Sequence, residues 1–275
     1  MHPTPSVHLS LREENGVKSF RQTVACLLAS VSMFLVSANP VWAAQTLNVY
    51  GPGGPSPAMM EAAANFGTAH NVDVHVTAGP TPKWIDKARQ DADVVFSSAE
   101  NMMSDFAKAL PGAFDLKEAE PLYLRPAAIL VLPRNLKHIQ GFRGLLAPGI
   151  KVMAVAGAGQ TGLWEDVAGR TGDIDLVRAF RKNLLLPEAG NSTEARQRWA
   201  QQPDIEVWLI WNIWQVSNPE LAQLVEMDEP FRIYRDAGVV ITHRGASEPQ
   251  SKAFVDYLKS PAGQAIFVKW GWKTP

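Results

Sequence analysis

The sequence predicts an α/β protein with two lobes, each built on a sheet with helices on its faces, joined by two long strands. Strand, turn and helix follow one another repeatedly through residues 47–110. The same order returns from residue 151, and two long apolar stretches occupy residues 122–132 and 231–242. Because strands that alternate with helices form parallel sheets, each repeat predicts one α/β unit. The two apolar stretches then predict two hinge-crossing strands.

The first unit contains three short strands, and each leads through a turn into a helix. Residues 47–50, 72–78 and 93–96 have the apolar or alternating pattern of strands. Turns rich in glycine and proline follow the first two strands, and a pair of serines follows the third. Helices are predicted at residues 56–69, around Trp84 and from residue 97 toward residue 110. Such turns lie at the carboxyl ends of strands, where open α/β sheets bind ligands.

The second unit runs from a strand at residues 151–156 to a strand at residues 206–210. Helices are predicted between them from about residue 161, at residues 173–183 and through residues 196–200. Two further helices, at residues 249–259 and 262–270, follow the second long strand. We expect residues 125–231 to form an inserted second lobe, and residues 44–124 together with residues 232–275 to form the first.

Residues 1–43 have the composition of a signal peptide. A basic leader with Arg12, Lys18 and Arg21 precedes an apolar run at residues 23–37, and small side chains suit a cleavage after Ala43. The run is short for a membrane span, although an uncleaved anchor is the alternative. Cleavage would remove Cys26, the only cysteine, so the mature chain would have no thiol for a disulfide, a nucleophile or a metal. The sequence thus predicts export to the periplasm.

Composition argues against several classes of protein. The chain carries 26 basic and 27 acidic side chains, so its overall charge does not suit nucleic-acid binding. No apolar stretch after residue 43 is long enough to span a membrane, so we expect no membrane span in the mature chain. The sequence shows no phosphate-binding loop, nucleophile elbow or metal-ligand spacing. We therefore expect no cofactor, no metal site and no catalytic residue.

The candidate ligand-binding residues lie in five turns, each directly before a helix. The first N–H groups of a helix lack main-chain acceptors and carry partial positive charge, so several helix starts around one cleft attract an anion. Ordinary helix capping is the alternative role for each turn. The residues predicted to bind the ligand in these turns are Gly53, Gly54, Ser56, Thr81, Ser97, Ser98, Gly159, Thr161, Gly162, Asn191, Ser192 and Thr193.

Two arginines complete the predicted site. Arg125 lies where the first long strand would cross between the lobes, and Arg196 lies one turn into the helix after residues 191–193. The arginine fork suits a carboxylate or a phosphate, so these side chains favour an organic acid or a phosphate ester over a bare oxyanion. An ion pair is the alternative for Arg125, and a solvated helix face for Arg196. We also expect Asp166 to pair with Arg170, four residues later on one helix.

Several segments resemble the accessory colonization factor C family of class II periplasmic solute-binding proteins. They are LNVYGPGGP at residues 47–55, AGPTPKW at residues 78–84, TGLWED at residues 161–166, WLIWNIW at residues 208–214 and QAIFVKWGW at residues 264–272. The resemblance covers essentially the whole mature chain. It implies the two-lobed class II periplasmic binding protein fold, close to that of molybdate and sulfate binders, with a ligand between the lobes.

The function that the resemblance implies, together with the turns and arginines, is periplasmic binding of a small anionic solute without catalysis. The ligand would be an organic acid, a phosphate ester or an oxyanion, and hinge closure would present it to an ABC permease. The resemblance also implies that a homodimer is among the partners to be expected. The alternative is a stand-alone surface or colonisation protein that retains the binding fold. An enzyme built on this fold is the third hypothesis.

Overall fold

One mixed sheet of eight strands organises residues 45–275, the part of the chain that the computed structural model describes. The predicted signal peptide at residues 1–43 lies outside the described residues. In chain order the strands are β1 (Gln45–Gly51), β2 (Val72–Ala78), β3 (Val94–Phe96), β4 (Glu120–Val131), β5 (Val152–Met153), β6 (Val207–Trp211), β7 (Gln223–Val225) and β8 (Tyr234–Ile241). In space they follow the order β2-β1-β3-β8-β4-β6-β5, and β7 also pairs with β4.

The direction of the strands agrees with the α/β class that the sequence predicts. Strand β1 pairs in parallel with β2 and β3, and β5 pairs in parallel with β6. Strand β8 is antiparallel to both β3 and β4. The turns that follow β1, β2 and β3 therefore share one edge of the sheet, which is the edge where the sequence predicts the ligand.

Strand β4 belongs to both halves of the sheet. Its first part, residues 120–126, pairs with β8, whereas residues 127–131 pair with β6 and residues 129–131 also pair with β7. The register places Arg125 opposite Arg235 on β8. The predicted lobe boundaries fall within β4 and shortly before β8. The position of a hinge between the two lobes stays a prediction.

Helices cover both faces of the first half of the sheet. In chain order the helices are α1 (Ser56–His70), α2 (Ile85–Asp91), α3 (Glu100–Ala109), α4 (Leu163–Ala168), α5 (Ile174–Asn183), α6 (Ser192–Gln201), α7 (Ile213–Ser217), α8 (Pro249–Lys259) and α9 (Pro261–Lys269). Successive side chains of a strand point to opposite faces. Accordingly, Val49 of β1 packs in one core cluster with Phe66 and Phe254, while Tyr50 packs in a second with Trp84.

Three local predictions differ from the structure, and two short elements lack a prediction. The second long strand begins at Tyr234 instead of residue 231, because Glu229–Phe231 forms a 3-10 turn around Pro230. The strand expected at residues 151–156 is reduced to β5 and an isolated bridge from Val155. The helix expected from residue 161 begins two residues later, after Gly162 in a left-handed conformation. The short elements α7 and β7 were not predicted.

None of the helices between residues 45 and 275 is both long enough and apolar enough to cross a membrane.

A buried carboxylate connects β1, β3 and the segment after β8. The Asp93 side chain is fully buried, with one oxygen accepting the Asn48 N–H at 2.8 Å and the other accepting Arg244 Nε at 3.0 Å. The main chain of Asp93 also donates to the Asn48 carbonyl at 2.9 Å. This network holds the start of β3 and therefore the serine turn at residues 97–98.

Replacing Asp93 by asparagine should lower the free energy of unfolding by about 2 kcal/mol, because an amide has one oxygen and must turn its NH₂ group toward one of the two donors. Urea denaturation measures the loss. The matched control is Asp105→Asn, whose carboxylate pairs with Lys108 at 3.1 Å on the exposed surface of α3. The control should change the unfolding free energy by less than about 0.5 kcal/mol. Equal effects of the two substitutions would contradict the structural role of Asp93.

Candidate ligand-binding cavity

A cavity of about 140 Å³ lies where the turns from both halves of the sheet meet. Nine of the fourteen predicted ligand-binding residues line it, and they come from all five predicted turns and from β4. Among the described residues that line this cavity, Arg125 is the only charged one and none is acidic. The predicted residues that line it are Gly53, Gly54, Thr81, Ser98, Arg125, Gly159, Asn191, Ser192 and Thr193.

Three helices begin at the cavity. The turn before α1 contributes Gly53 and Gly54, the turn before α3 contributes Ser98, and the first residues of α6 contribute Ser192 and Thr193. These helices have 15, 10 and 10 residues, so each is long enough to have an appreciable dipole. Because the positive ends of all three meet at one cavity, they add to the charge of Arg125 instead of balancing it.

Arg125 is buried and lacks partners for most of its donors. The residue is 1% exposed. Its Nη2 donates to the main-chain carbonyl of Ser98, while Nε and Nη1 have no hydrogen-bond partner. Buried polar groups in folded proteins are nearly always paired, so two unpaired donors on one buried guanidinium call for an acceptor from outside the described chain.

Burial lowers the pKa of Arg125 to about 9. The neighbouring charge of Asp236 acts in the opposite direction and raises the pKa, whereas the charge of Arg235 lowers it. Since the value remains above neutrality, Arg125 is a cation at physiological pH. The cavity therefore contains a full positive charge that no carboxylate in its lining neutralises.

Aromatic rings and a glycine hold the guanidinium in place. The Arg125 Cζ lies 4.7 Å from the centroid of the Trp211 ring and 5.2 Å from that of Trp272, which is the range of cation–π attraction. Gly159 lies directly against the same group. A Cβ at this position would be 2.6 Å from Ser98 Oγ and 3.1 Å from both Arg125 Nη2 and the Ser98 carbonyl oxygen, so a larger residue would require these groups to move.

Gln160 brings a second unpaired buried group to the cavity. Its Nε2 donates to Ser192 Oγ at 2.6 Å, while its Oε1 is buried without a partner. A serine hydroxyl both donates and accepts, so rotation of the amide would let Ser192 donate to Oε1 and would free the Nε2 group to donate elsewhere. Gln160 can therefore present either a donor or an acceptor to a ligand.

Two other predicted residues from the first half of the sheet do not line the cavity. Ser97 is fully buried, and its hydroxyl accepts the N–H of Gly238 at 3.2 Å, which makes it a link between β3 and β8. Ser56 lies in the first turn of α1, where its N–H donates to the Gly53 carbonyl and its hydroxyl to Met60 Sδ at 3.5 Å. The hydroxyls of both serines therefore bond to other parts of the protein and do not line the cavity.

The remaining predicted residues outside the lining belong to the second half. The Thr161 hydroxyl donates to the carbonyl of Ala156 at 3.3 Å, and Gly162 precedes α4 with a positive φ. Arg196 is exposed and lines a separate small pocket with Trp199 and Trp208. A direct role of these residues in ligand binding stays a prediction that their positions do not support.

The expected pair between Asp166 and Arg170 is wrong. Asp166 Oδ2 instead forms an ion pair with Arg235 Nη2 at 2.5 Å. The two partners are 69 residues apart, so a comparison of neighbouring positions along one helix could not find the pair.

Seven residues of the lining were absent from the predicted site. Pro52, Gly79 and Pro80 lie within turns that the sequence had already marked as strand–helix connections. Gln160 also lies in such a turn, between the predicted residues Gly159 and Thr161, but was not itself predicted to bind the ligand. The complete set is Pro52, Gly79, Pro80, Met102, Gln160, Trp211 and Trp214.

Asn191 shows both of the roles that the sequence left open. It lines the cavity and is also the N-cap of α6, where its side chain accepts the N–H of Glu194 at 3.0 Å. The capping bond orients α6 so that its first N–H groups lie at the cavity. Within residues 45–275, no group of three or more His, Cys, Asp or Glu side chains is arranged to hold a metal ion.

The structure resembles solved structures of solute-binding proteins. Peb3 from Campylobacter jejuni is 30% identical with a TM-score of 0.77, and a structure of PEB3 with bound L-phospholactate is 32% identical with a TM-score of 0.78. Both comparisons cover 83% of this chain and 100% of the other. The sulfate-binding protein SubI from Mycobacterium tuberculosis H37Rv shares the fold at 18% identity and a TM-score of 0.67, over 84% of this chain and 87% of that one.

The sequence itself also identifies a family. No curated protein sequence matches the chain. The profile of the family described as bacterial extracellular solute-binding protein matches residues 47–273, which is nearly all of the described chain. Together with the structural matches, this confirms the class of protein that the sequence segments indicated. The chain belongs to the bacterial extracellular solute-binding proteins.

Proposed function

We propose that this protein binds a small organic anion in the cavity, with Arg125 as the group that recognises the negative charge. The observation that carries the proposal is the buried Arg125 guanidinium, whose Nε and Nη1 have no partner. The described residues that line the cavity include no acidic side chain that could satisfy them. An anionic oxygen placed at these two nitrogens would pair the charge and complete the hydrogen bonding at once.

The available interactions have the right magnitude for such a binder. A hydrogen bond to a charged group contributes roughly 1.5–3 kcal/mol, and a helix start contributes roughly 0.3–1 kcal/mol to the binding of an anion. Two bonds from Arg125 and three helix starts thus approach the 8.2 kcal/mol or so that corresponds to a micromolar dissociation constant. Hydroxyl and amide donors in the lining, including Ser192 and Gln160, supply the remainder.

The size and walls of the cavity favour an organic anion over a bare inorganic ion. Its volume of about 140 Å³ is close to the roughly 150 Å³ cavity that holds one benzene molecule, so a ligand of metabolite size fits. Met102, Trp211 and Trp214 offer apolar surface for a carbon skeleton. PEB3, at 32% identity, has been solved with L-phospholactate, which combines a phosphate, a carboxylate and a three-carbon body. A ligand of this class is our proposal for the present chain.

A role in solute uptake is part of the proposal. We propose that residues 1–43 direct export, that the ligand stabilises a closed arrangement of the two halves, and that a membrane permease of the ABC type receives it. A ligand shifts such an equilibrium only by its difference in affinity for the two arrangements. The Gly53–Gly54 turn and the Gly159 turn come from different halves and both line the cavity, so a ligand that contacts both would provide that difference. Colonisation without a permease stays the alternative.

L-phospholactate should raise the thermal unfolding midpoint of the purified protein. At a concentration of about 100 times the dissociation constant, a ligand adds about 2.7 kcal/mol to the unfolding free energy, equivalent to about 5–10 °C for a chain of this size. Differential scanning fluorimetry with L-phospholactate, sulfate and neutral glycerol measures the shift. We expect L-phospholactate to give the largest shift and glycerol none. Equal shifts from all three compounds would contradict a site built for an organic anion.

The same assay on Arg125→Met tests the central residue. Methionine keeps most of the apolar contact with Trp211 but removes the charge, so affinity for L-phospholactate should fall at least about 100-fold, the equivalent of two lost charge-assisted bonds. The unfolding midpoint of the variant without ligand verifies that it is folded. Arg178→Met is the control, since Arg178 pairs with Asp175 on the exposed surface of α5. Undiminished affinity in Arg125→Met would exclude the proposed role of Arg125.

Gln160→Glu should weaken anion binding by at least about tenfold at pH 7.5, because the isosteric carboxylate repels the ligand in a site of low dielectric constant. The ratio of wild-type to variant affinity should shrink as the pH falls toward 5, since protonation removes the repulsion. Taking the ratio at each pH cancels the titration of the ligand itself. The control is Gln90→Glu on the exposed face of α2. A ratio near one at pH 7.5 would show that the Gln160 amide does not face the anion.

A further inference from the structure

Arg235 lies beside the cavity but does not line it. It is the register partner of Arg125 across strands β4 and β8. Its Cζ lies 5.6 Å from the centroid of Trp211, the same ring that Arg125 approaches at 4.7 Å. Two cations at directly opposed positions of neighbouring strands repel each other. A structure with this arrangement requires a compensating interaction for at least one of them.

Asp166 and two carbonyls provide this compensation for Arg235. Nη2 forms the ion pair with Asp166 Oδ2, and Nη1 donates to the carbonyls of Gly159 at 3.3 Å and Thr161 at 3.0 Å. All three acceptors lie within the segment of residues 159–166. One side chain of β8 therefore fixes the turn at the cavity and the first part of α4 together.

The turn at Gly159 is closely packed on several sides, so its position affects the cavity. Trp211 Nε1 donates at 3.2 Å to the Gly159 carbonyl, which Arg235 also contacts. On its other side Gly159 packs closely against Ser98 and Arg125, where a Cβ would be 2.6 Å from Ser98 Oγ and 3.1 Å from Arg125 Nη2. A shift of the turn by a few tenths of an ångström would thus change the surroundings of the Arg125 guanidinium and of Gln160, the next residue.

We infer that Arg235, held by Asp166, is a positioning residue for the anion site. The inference rests on the proposed function of the cavity. Arg235 fixes the Gly159–Gln160 turn against Arg125, and its own charge is neutralised by Asp166 instead of by the ligand. Arg125 then remains the one arginine available to the anion. Asp166, although half exposed and outside the cavity lining, should influence ligand affinity through this contact.

A double-mutant cycle on Arg235 and Asp166 tests the inference, with isothermal titration of L-phospholactate into the full-length protein as the readout. Arg235→Gln and Asp166→Asn should each lower affinity about tenfold. The double variant should bind within about twofold of Arg235→Gln, because the second substitution removes an interaction already lost. Arg235→Lys retains the charge for Asp166 but has no fork to share between two carbonyls, so it should recover part of the affinity.

A matched control separates this effect from general destabilisation. Arg89 also combines an ion pair, with Asp86 at 2.7 Å, and a bond to a carbonyl, that of Ala109 at 3.0 Å, but it does not line the cavity. The cycle of Arg89→Gln and Asp86→Asn should leave affinity unchanged within twofold. Unfolding midpoints without ligand verify that each variant is folded, and Asp166→Asn carries the test if Arg235→Gln does not fold.

The outcomes separate the positioning role of Arg235 from the proposed function of the cavity. Wild-type binding with tenfold losses in both single variants and no further loss in the double variant supports the inference. Wild-type binding with unchanged affinity in the folded Asp166→Asn and Arg235→Gln variants overturns the positioning role and leaves the proposed function intact. Additive losses in the double variant also overturn it, since the two residues would then act separately. Absence of wild-type binding would overturn the proposed function and with it the inference.

Discussion

The buried, largely unpaired guanidinium of Arg125 is the interaction on which the rest of the site depends. A charge removed from water without a partner is unfavourable, and the lining of the cavity adds three positive helix ends without an acidic side chain. The two tryptophan faces and the Ser98 carbonyl orient the group but do not neutralise it. Proteins retain such local costs where function requires them. In the proposed function, an anion bound at Arg125 would offset this electrostatic cost.

The sheet explains how residues so distant in sequence meet at this guanidinium. Parallel strands β1, β2 and β3 bring their following turns to one edge, and β5 brings the Gly159 turn from the second half. Strand β4 joins the halves and carries Arg125, while β8 carries Arg235 opposite it. The cavity therefore combines main-chain donors from the turns with one charged side chain from the strand that both halves share. This division agrees with a ligand that contacts both halves when it binds.

Much of this arrangement could be predicted from local sequence patterns. The strands and helices of the first half follow from apolar periodicity and from glycine, proline and serine at the turns, and those turns contain seven of the sixteen residues that line the cavity. The tryptophan-rich stretch at residues 208–214 is less informative, because only Asn212 separates the apolar residues of β6 from those of α7. Short elements such as β7 have too few residues for a periodic pattern.

Side-chain partners formed across the sheet could not be predicted in the same way. The register of β4 and β8 determines that Arg235 faces Arg125 and reaches Asp166, and no pattern in a single sequence specifies that register. Spacing along one helix considers only neighbours in the chain, so it pairs Asp166 with Arg170, four residues later. The position of the turn that contains Gln160 could be predicted from the sequence. The direction of the Gln160 side chain depends on the geometry of that turn, which could not.

A crystal structure of the protein with L-phospholactate would show whether Arg125 binds the anion. We expect an anionic oxygen of the ligand about 2.7–2.9 Å from Arg125 Nε or Nη1, the usual length of a charge-assisted bond, with other ligand oxygens near the start of α6. The Ser98 carbonyl should still accept Nη2. A ligand bound in the cavity with Nε and Nη1 both left unpaired, or bound elsewhere on the protein, would contradict the account.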